Sequence, residues 1–424
     1  MIDQTKKPEI LAPAGNFEKL RAALAFGADA VYFAGTNFGM RAAADNFTPE
    51  EIEGACVYTH ERGKKLYLTV NVVPRSGDIN ELQNCLEEIK NMSDKPDALI
   101  CADIGVVGLV RKILPHMDIH ISTQANTQNW LACEAWAALG AKRIILSREL
   151  SFEDIRDIRR NLSAEVELEC FVHGAMCVAY SGRCLISNYL TSRDANKGAC
   201  TQPCRWQYNL YYLAEEKRPN VFLPITESTE SAGTTIFSSK DLCMIEHIDD
   251  LVAAGIASFK IEGRMKSAYY TACITNAYRI ALDDFYANGG KIDPILTQKL
   301  KLETESVSRR EYDTGFFYDA PDIDAKICEN PDYIREKTYL GLCVGFERDD
   351  SESGGLAVFE QRNKITKNRQ VQVLSPGSFG RDTVADILLN EKNEPIESAP
   401  HPFEIFKIRT DFEVKLGDIL RSAD

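Results

Sequence analysis

Five of the chain's thirteen cysteines fall within 35 residues: Cys170, Cys177, Cys184, Cys200 and Cys204. The last four read C-x6-C-x15-C-x3-C. Clustered thiols bind metal, form disulfides or run redox chemistry. The segment before Glu9 is polar and lacks the apolar stretch of a secretory signal. No apolar run reaches about 18 residues, so no membrane span is expected. A cytoplasmic protein is therefore expected, and in a large one an odd cysteine count argues for reduced or metal-bound thiols. Burial as small hydrophobes is the plain alternative. The neighbours Gly174, Ser181, Gly182, Arg183, Asn196, Lys197, Gly198, Gln202 and Pro203 describe a loop instead. Zinc sites use two close cysteine pairs. Here only Cys200 and Cys204 make one, and no histidine pair completes a site. Irregularly spaced thiolates also suit an iron–sulfur cluster, which the spacing favours over zinc.

The elements that must position these thiols follow from hydrophobic patterning. The chain has 424 residues, enough for two or three domains. Eight short β-like runs lie in its first 285 residues: 9–11, 30–33, 66–70, 98–101, 119–122, 143–146, 166–171 and 258–261. Most are apolar without alternation, as strands covered on both faces are. Amphipathic helical stretches separate them. Thr48-Pro49-Glu50-Glu51 supplies a cap, a first-turn proline and an acidic third position. Ser151 with Asp154 starts another helix, and a stretch from Asp241 to Ala254 ends at Gly255. Eight such units predict an α/β fold, a (β/α)8 TIM-like barrel over 1–285. An open doubly wound sheet is the runner-up, but neither glycine-rich phosphate loop occurs. The cysteine loop, 170–204, follows strand seven. A polar insertion spans 213–236 and a partly helical connector 286–337. Short β-like runs with Gly, Pro, Asn and Asp turns predict a small antiparallel β-barrel over 338–424.

Loops after barrel strands build the active face. Polar residues gather at these strand ends: Asn16, Asn71, Asp103, Gln124, Asn126, Arg148, Glu149, His173, Lys260, Glu262 and Arg264. Singly, each reads as a cap or a satisfied core residue. The net charge of −14 speaks against broad nucleic-acid binding. Locally, Arg183, Arg193, Lys197 and Arg205 face only Asp194 between positions 183 and 205. A solvated loop is the plain reading of that patch.

The stretches LAPAGN (11–16), GADAVY (27–32), ECFVHGAMCVAYSGRCLIS (169–187), GACTQPCRWQY (198–208), SKDL (239–242) and KIEGRMKS (260–267) resemble peptidase family U32, the collagenase-like group. They cover most of the barrel, and the C-terminal segment also looks like that family's C-terminal domain. Within the family the chain looks closest to the members that hydroxylate tRNA. The resemblance implies a [4Fe-4S] cluster on Cys177, Cys184, Cys200 and Cys204. Cys243 sits where other members appear to place a fourth ligand, so Cys204 and Cys243 compete for that role; short loop closure favours Cys204. Cys170 reads as packing. The resemblance also implies prephenate-dependent conversion of a tRNA wobble uridine to 5-hydroxyuridine. A small dicarboxylate co-substrate needs cations, and Arg41, Arg148, Lys260 and Arg264 are the candidates. His173 and Glu149 are the proton-transfer candidates. Tyr180, Trp206 and Tyr208 could stack on a flipped base. Arg193, Lys197 and Arg205, with Lys364, Lys367 and Arg369, could grip tRNA.

Two other classes stay open. A peptidase would need a nucleophile and base, and only Cys177 with His173 offers one by proximity. Neither G-x-S-x-G nor H-E-x-x-H occurs. An RNA-binding or scaffold protein would leave the polar strand ends unexplained.

Overall fold

The computed structural model describes residues 7–36, 39, 45–206, 238–318, 328, 333–348 and 354–423, and the backbone of four short strands between 214 and 235. Arg41, Tyr208, the side chains of the 213–236 insertion and the rest of its backbone lie outside the described residues.

Eight parallel strands close on themselves: β1 (Glu9–Pro13), β2 (Ala30–Ala34), β3 (Lys65–Val70), β4 (Ala98–Cys101), β5 (Asp118–Ile121), β6 (Arg143–Ile145), β7 (Glu167–Ala175) and β9 (Ser258–Ile261). The ladder β9–β1 and the ladder β9–β7 complete the ring. All eight strands expected from the sequence are the barrel strands. Their apolar side chains are buried nearly throughout, as packing on both faces requires. Helices α1 (Phe17–Ala25), α2 (Pro49–His60), α3 (Ile79–Asn91), α4 (Ile104–Ile113), α5 (Trp130–Ala138) and α6 (Phe152–Asn161) follow the first six strands. The expected capping boxes form at Thr48/Glu51 and Ser151/Asp154.

One strand joins the wall from outside the eight. Strand β8 (Asp241–Cys243) runs antiparallel to the end of β7, pairing Asp241 with Ala175 and Cys243 with His173. The helix expected from Asp241 therefore begins only at Ile248, as α8 (Ile248–Ala253). The cause is a buried ion pair: Arg310 Nη2 lies 2.6 Å from Asp241 Oδ1, and the Arg310 backbone N–H donates to Asp241 Oδ2. Gly255 still ends α8 with φ +77°. Helix α9 (Ala268–Ala287), capped by Ser267, and α10 (Pro294–Glu305) complete the layer outside the barrel.

The C-terminal segment forms a curled seven-stranded antiparallel sheet. Its order is 381–384, 370–374, 419–422, 339–348, 355–361, 405–410, 388–390. Phe359 and Phe406 stack at 5.7 Å inside its own core. Its last strand reaches the barrel layer, where the buried Arg421 guanidinium meets Glu303 Oε2 at 2.9 Å.

Candidate functional site

The C-terminal ends of the strands hold two adjoining cavities. One, of about 60 Å³, sits in the barrel mouth, with Tyr32, Asn71, Arg148, Lys260, Glu262 and Arg264 among its lining. The other, of about 190 Å³, lies under the cysteine loop. Cys177, Cys184, Cys200 and Cys204 all line it. Thr123, Gln124, Arg148 and Glu262 belong to both walls, so the two cavities share a boundary.

Local backbone devices put these side chains in place. Gly182 has φ +69°, and a Cβ there would lie 2.1 Å from the Gln124 carbonyl oxygen. Only glycine allows the loop to lie this close to the turn after β5. Next to it, Glu149 Oε1 accepts from the Ser181 N–H at 2.9 Å and from Ser181 Oγ at 3.1 Å. Arg148 stacks 3.9 Å over the Phe171 ring and donates from Nη1 to the Ala175 carbonyl at 2.8 Å. Arg205 donates to the Met176 carbonyl at 2.7 Å, closing the far side.

The four thiols form no disulfide; Cys177 is exposed and the other three half-buried. Burial pushes the Cys204 thiol up, Arg205 opposes it, and the charges of Cys177, Cys200 and Cys184 push it further. The four sites thus sense one another electrostatically. The Gln202 N–H donates to Cys200 Sγ at 3.4 Å. Among the described residues, no three His, Cys, Asp or Glu side chains stand close enough to hold a single ion as they lie. Cys243 does not line the cavity. It sits on β8 with Sγ 3.9 Å from Thr304 Oγ1, and burial pushes its thiol up to about 11. Cys170 is buried, as a packing residue is.

His173 differs from expectation. Phe171 pairs with Lys260 but His173 pairs with Ile261, so Val172 is an extra residue in β7. That bulge reverses the alternation beyond it. His173 therefore leaves the barrel face and packs among Tyr270, Tyr278 and Tyr312, with Nε2 3.1 Å from the Tyr312 hydroxyl. Burial drives its pKa down to about 3, so the ring stays neutral and lines neither cavity. It is not a proton carrier for this site.

The expected cations divide. Arg148 and Arg264 line the barrel mouth. Lys260 does too, but its ammonium points to Glu169 Oε1 at 2.8 Å. Glu169 is fully buried and also meets Arg143, which reaches Glu9. Of this ionic cluster inside the barrel only Lys260 stood out in the sequence; Glu9, Arg143 and Glu169 did not, although each is a charge within a barrel strand. Lys266 was also missed. It lines the thiol cavity, lies 4.3 Å from the Tyr333 ring and donates to the Ser308 carbonyl. Burial lowers its pKa to about 8 against the opposing pull of Asp241. Of the polar strand ends, Asn16 and Asp103 are helix caps.

A closed parallel barrel whose active face carries a four-thiol loop defines the class. The comparisons then give the family. Residues 15–326 match peptidase family U32 and residues 335–421 match the peptidase family U32 C-terminal domain. The chain belongs to peptidase family U32. It is 33% identical to the tRNA hydroxylation protein P1 of Bacillus subtilis, over 99% of this chain and 96% of that protein. It is 32% identical to the 23S rRNA 5-hydroxycytidine synthase of Escherichia coli, over 81% of this chain and 49% of that one. A collagenase of Porphyromonas gingivalis is 33% identical over 66% of each chain.

Proposed function

We propose that the chain is an RNA-modifying enzyme that hydroxylates a pyrimidine base, and more finely the wobble uridine of tRNA, to 5-hydroxyuridine. In this reading Cys177, Cys184, Cys200 and Cys204 hold a [4Fe-4S] cluster, and prephenate is the dicarboxylate co-substrate. The observation that carries it is the shared boundary between the thiol cavity and the cationic barrel mouth. The similarity to named RNA hydroxylation proteins adds weight.

The pyrimidine C5 carbon is unreactive, and no side chain supplies an oxygen atom. When bound, a cluster supplies redox chemistry that side chains lack. The donor set suits it: four soft sulfur ligands on one wall. The protein's own part is positioning. Ser181 and Gly182 fix the loop between Cys177 and Cys184 against Glu149 and Gln124. Arg148 and Arg264 offer guanidinium groups to carboxylates in the mouth, and Lys266 offers an ammonium in the thiol cavity.

For tRNA, Arg183 and Arg193 are exposed on the loop. Lys197 is paired with Asp78, and Arg205 is tied to Met176. Lys364 and Lys367 are exposed on the C-terminal domain, Lys367 3.8 Å from Glu397, while Arg369 is half-buried and donates to the Lys364 carbonyl. Tyr180 and Tyr189 are 60% and 84% exposed, free to stack on bases. Trp206 instead donates its indole N–H to the Thr201 carbonyl. No helix among the described residues is long and apolar enough to cross a membrane. A cytoplasmic site of action fits a tRNA substrate.

The peptidase alternative draws on the collagenase similarity. The one base that sequence proximity gave Cys177, His173, is turned away from it. Mass spectrometry of tRNA from cells with and without the gene tests the proposal. Loss of wobble 5-hydroxyuridine derivatives in the deletion is expected. Unchanged levels in a strain with no second hydroxylase would refute it.

A further inference from the structure

Two residues that line the thiol cavity each carry a buried polar atom with no hydrogen-bond partner among the described residues. Glu149 uses only half of its carboxylate. Oε1 takes both Ser181 donors, while Oε2 is shielded from solvent and accepts no hydrogen bond. Arg148 Nε, one residue earlier, is a buried donor with no acceptor. The two are not bonded to each other. A buried carboxylate oxygen without a donor has lost its water and gained nothing in exchange, a cost that a bound partner would remove.

The chemistry of that partner follows. It must bring an N–H or O–H to Glu149 Oε2 and an acceptor to Arg148 Nε. A dicarboxylate fails at the first, since its oxygens would face another carboxylate. A uracil edge succeeds, because N3–H is flanked by two carbonyl oxygens. In the same pose cytosine places a lone pair at N3, which a carboxylate repels, and it would fit only if shifted to bring its N4–H to Glu149 and N3 to Arg148. We infer that Glu149 recognises the N3–H of a uracil base held in the thiol cavity, with Arg148 Nε–H donating to the adjoining carbonyl. This rests on the RNA-hydroxylation reading and deepens it. It replaces proton transfer as the role of Glu149. It also takes Arg148 away from the dicarboxylate, which it leaves to Arg264 in the barrel mouth and Lys266 in the thiol cavity.

The test uses the full-length, anaerobically purified protein and two anticodon stem-loop RNAs. One carries uridine at the wobble position and the other 3-methyluridine, whose N3 has no hydrogen. Competitive binding and product mass spectrometry are both read. Wild type should prefer uridine by about tenfold or more, as sites built to bond a polar group do. Glu149→Gln keeps an oxygen for the Ser181 N–H and turns its NH2 to the cavity. It should lose the preference while keeping its iron content. Ser181→Ala loosens the loop yet should keep the preference. A Glu149→Gln protein that still discriminates as wild type would overturn the inference. So would a Ser181→Ala protein that loses discrimination equally, since Glu149 would then act only by holding the loop. Wild type that modifies both RNAs alike refutes this inference alone. Wild type that modifies neither refutes the RNA-hydroxylation reading itself.

Discussion

Gly182→Ala should open the cysteine loop without unfolding the barrel. The new methyl would start 2.1 Å from the Gln124 carbonyl oxygen, so the backbones must part by about 0.9 Å to reach even 3.0 Å. Carbonyl oxygen cannot swing aside as a side-chain end does. The φ of +69° adds about 1 kcal/mol for any residue with a Cβ. A shift of that size breaks the two Ser181 bonds to Glu149, each worth about 1 kcal/mol. Together these favour local opening by about 3 kcal/mol, or roughly a hundredfold in the open population. Trypsin reads this directly, because the exposed Arg183 is the next residue. Cleavage after Arg183 should accelerate by up to roughly a hundredfold when reclosing outpaces cleavage. The urea midpoint should move little. Gly77→Ala is the control, with nothing within 4 Å of its added Cβ. Wild-type cleavage of Gly182→Ala would show that close approach to Gln124 does not hold the loop.

Arg310→Met strands the buried Asp241 carboxylate and should cost about 3–5 kcal/mol in urea unfolding. In wild type, burial raises that carboxyl but Arg310 outweighs it, leaving the pKa below 3.8. Its contribution is therefore complete above 3.8 and lost as pH falls further, and the variant's acid limb should begin at higher pH. Lys266, with its pKa near 8, loses its charge at mildly alkaline pH. Calorimetric affinity for prephenate should fall above about pH 8 and become flat in Lys266→Met; an unchanged pH profile would remove Lys266 from anion binding. Cys204→Ala should abolish iron retention after anaerobic purification and Cys243→Ala should not, as metal analysis will show; the reverse result would make Cys243 the fourth ligand.

The barrel was readable because strands buried on both faces appear as uninterrupted apolar runs. The thiols were readable because clustering survives any fold. What escaped depends on partners far away in the chain. Asp241 looked like a helix start, and only Arg310 makes it a strand. His173 looked like a strand-end residue of the active face, and a one-residue bulge turns it away. Lys266 stood in a recognised stretch but gained meaning only from the cavity around it. Glu149 stood out as a strand-end carboxylate, while its two unequal oxygens are a matter of geometry that no spacing encodes.

The pairing of Ala175 with Asp241 has a consequence for how such chains can change. The chain leaves the barrel at one of these residues and returns at the other, in adjacent register. Everything between, the thiols included, is an excursion whose two ends are stapled together. Lengthening it adds only a closure entropy that grows as the logarithm of its length. The excursion behaves as an exchangeable cartridge plugged into a fixed socket. The thiol-bearing segment can therefore be rewritten while the eight strands that carry stability stay as they are.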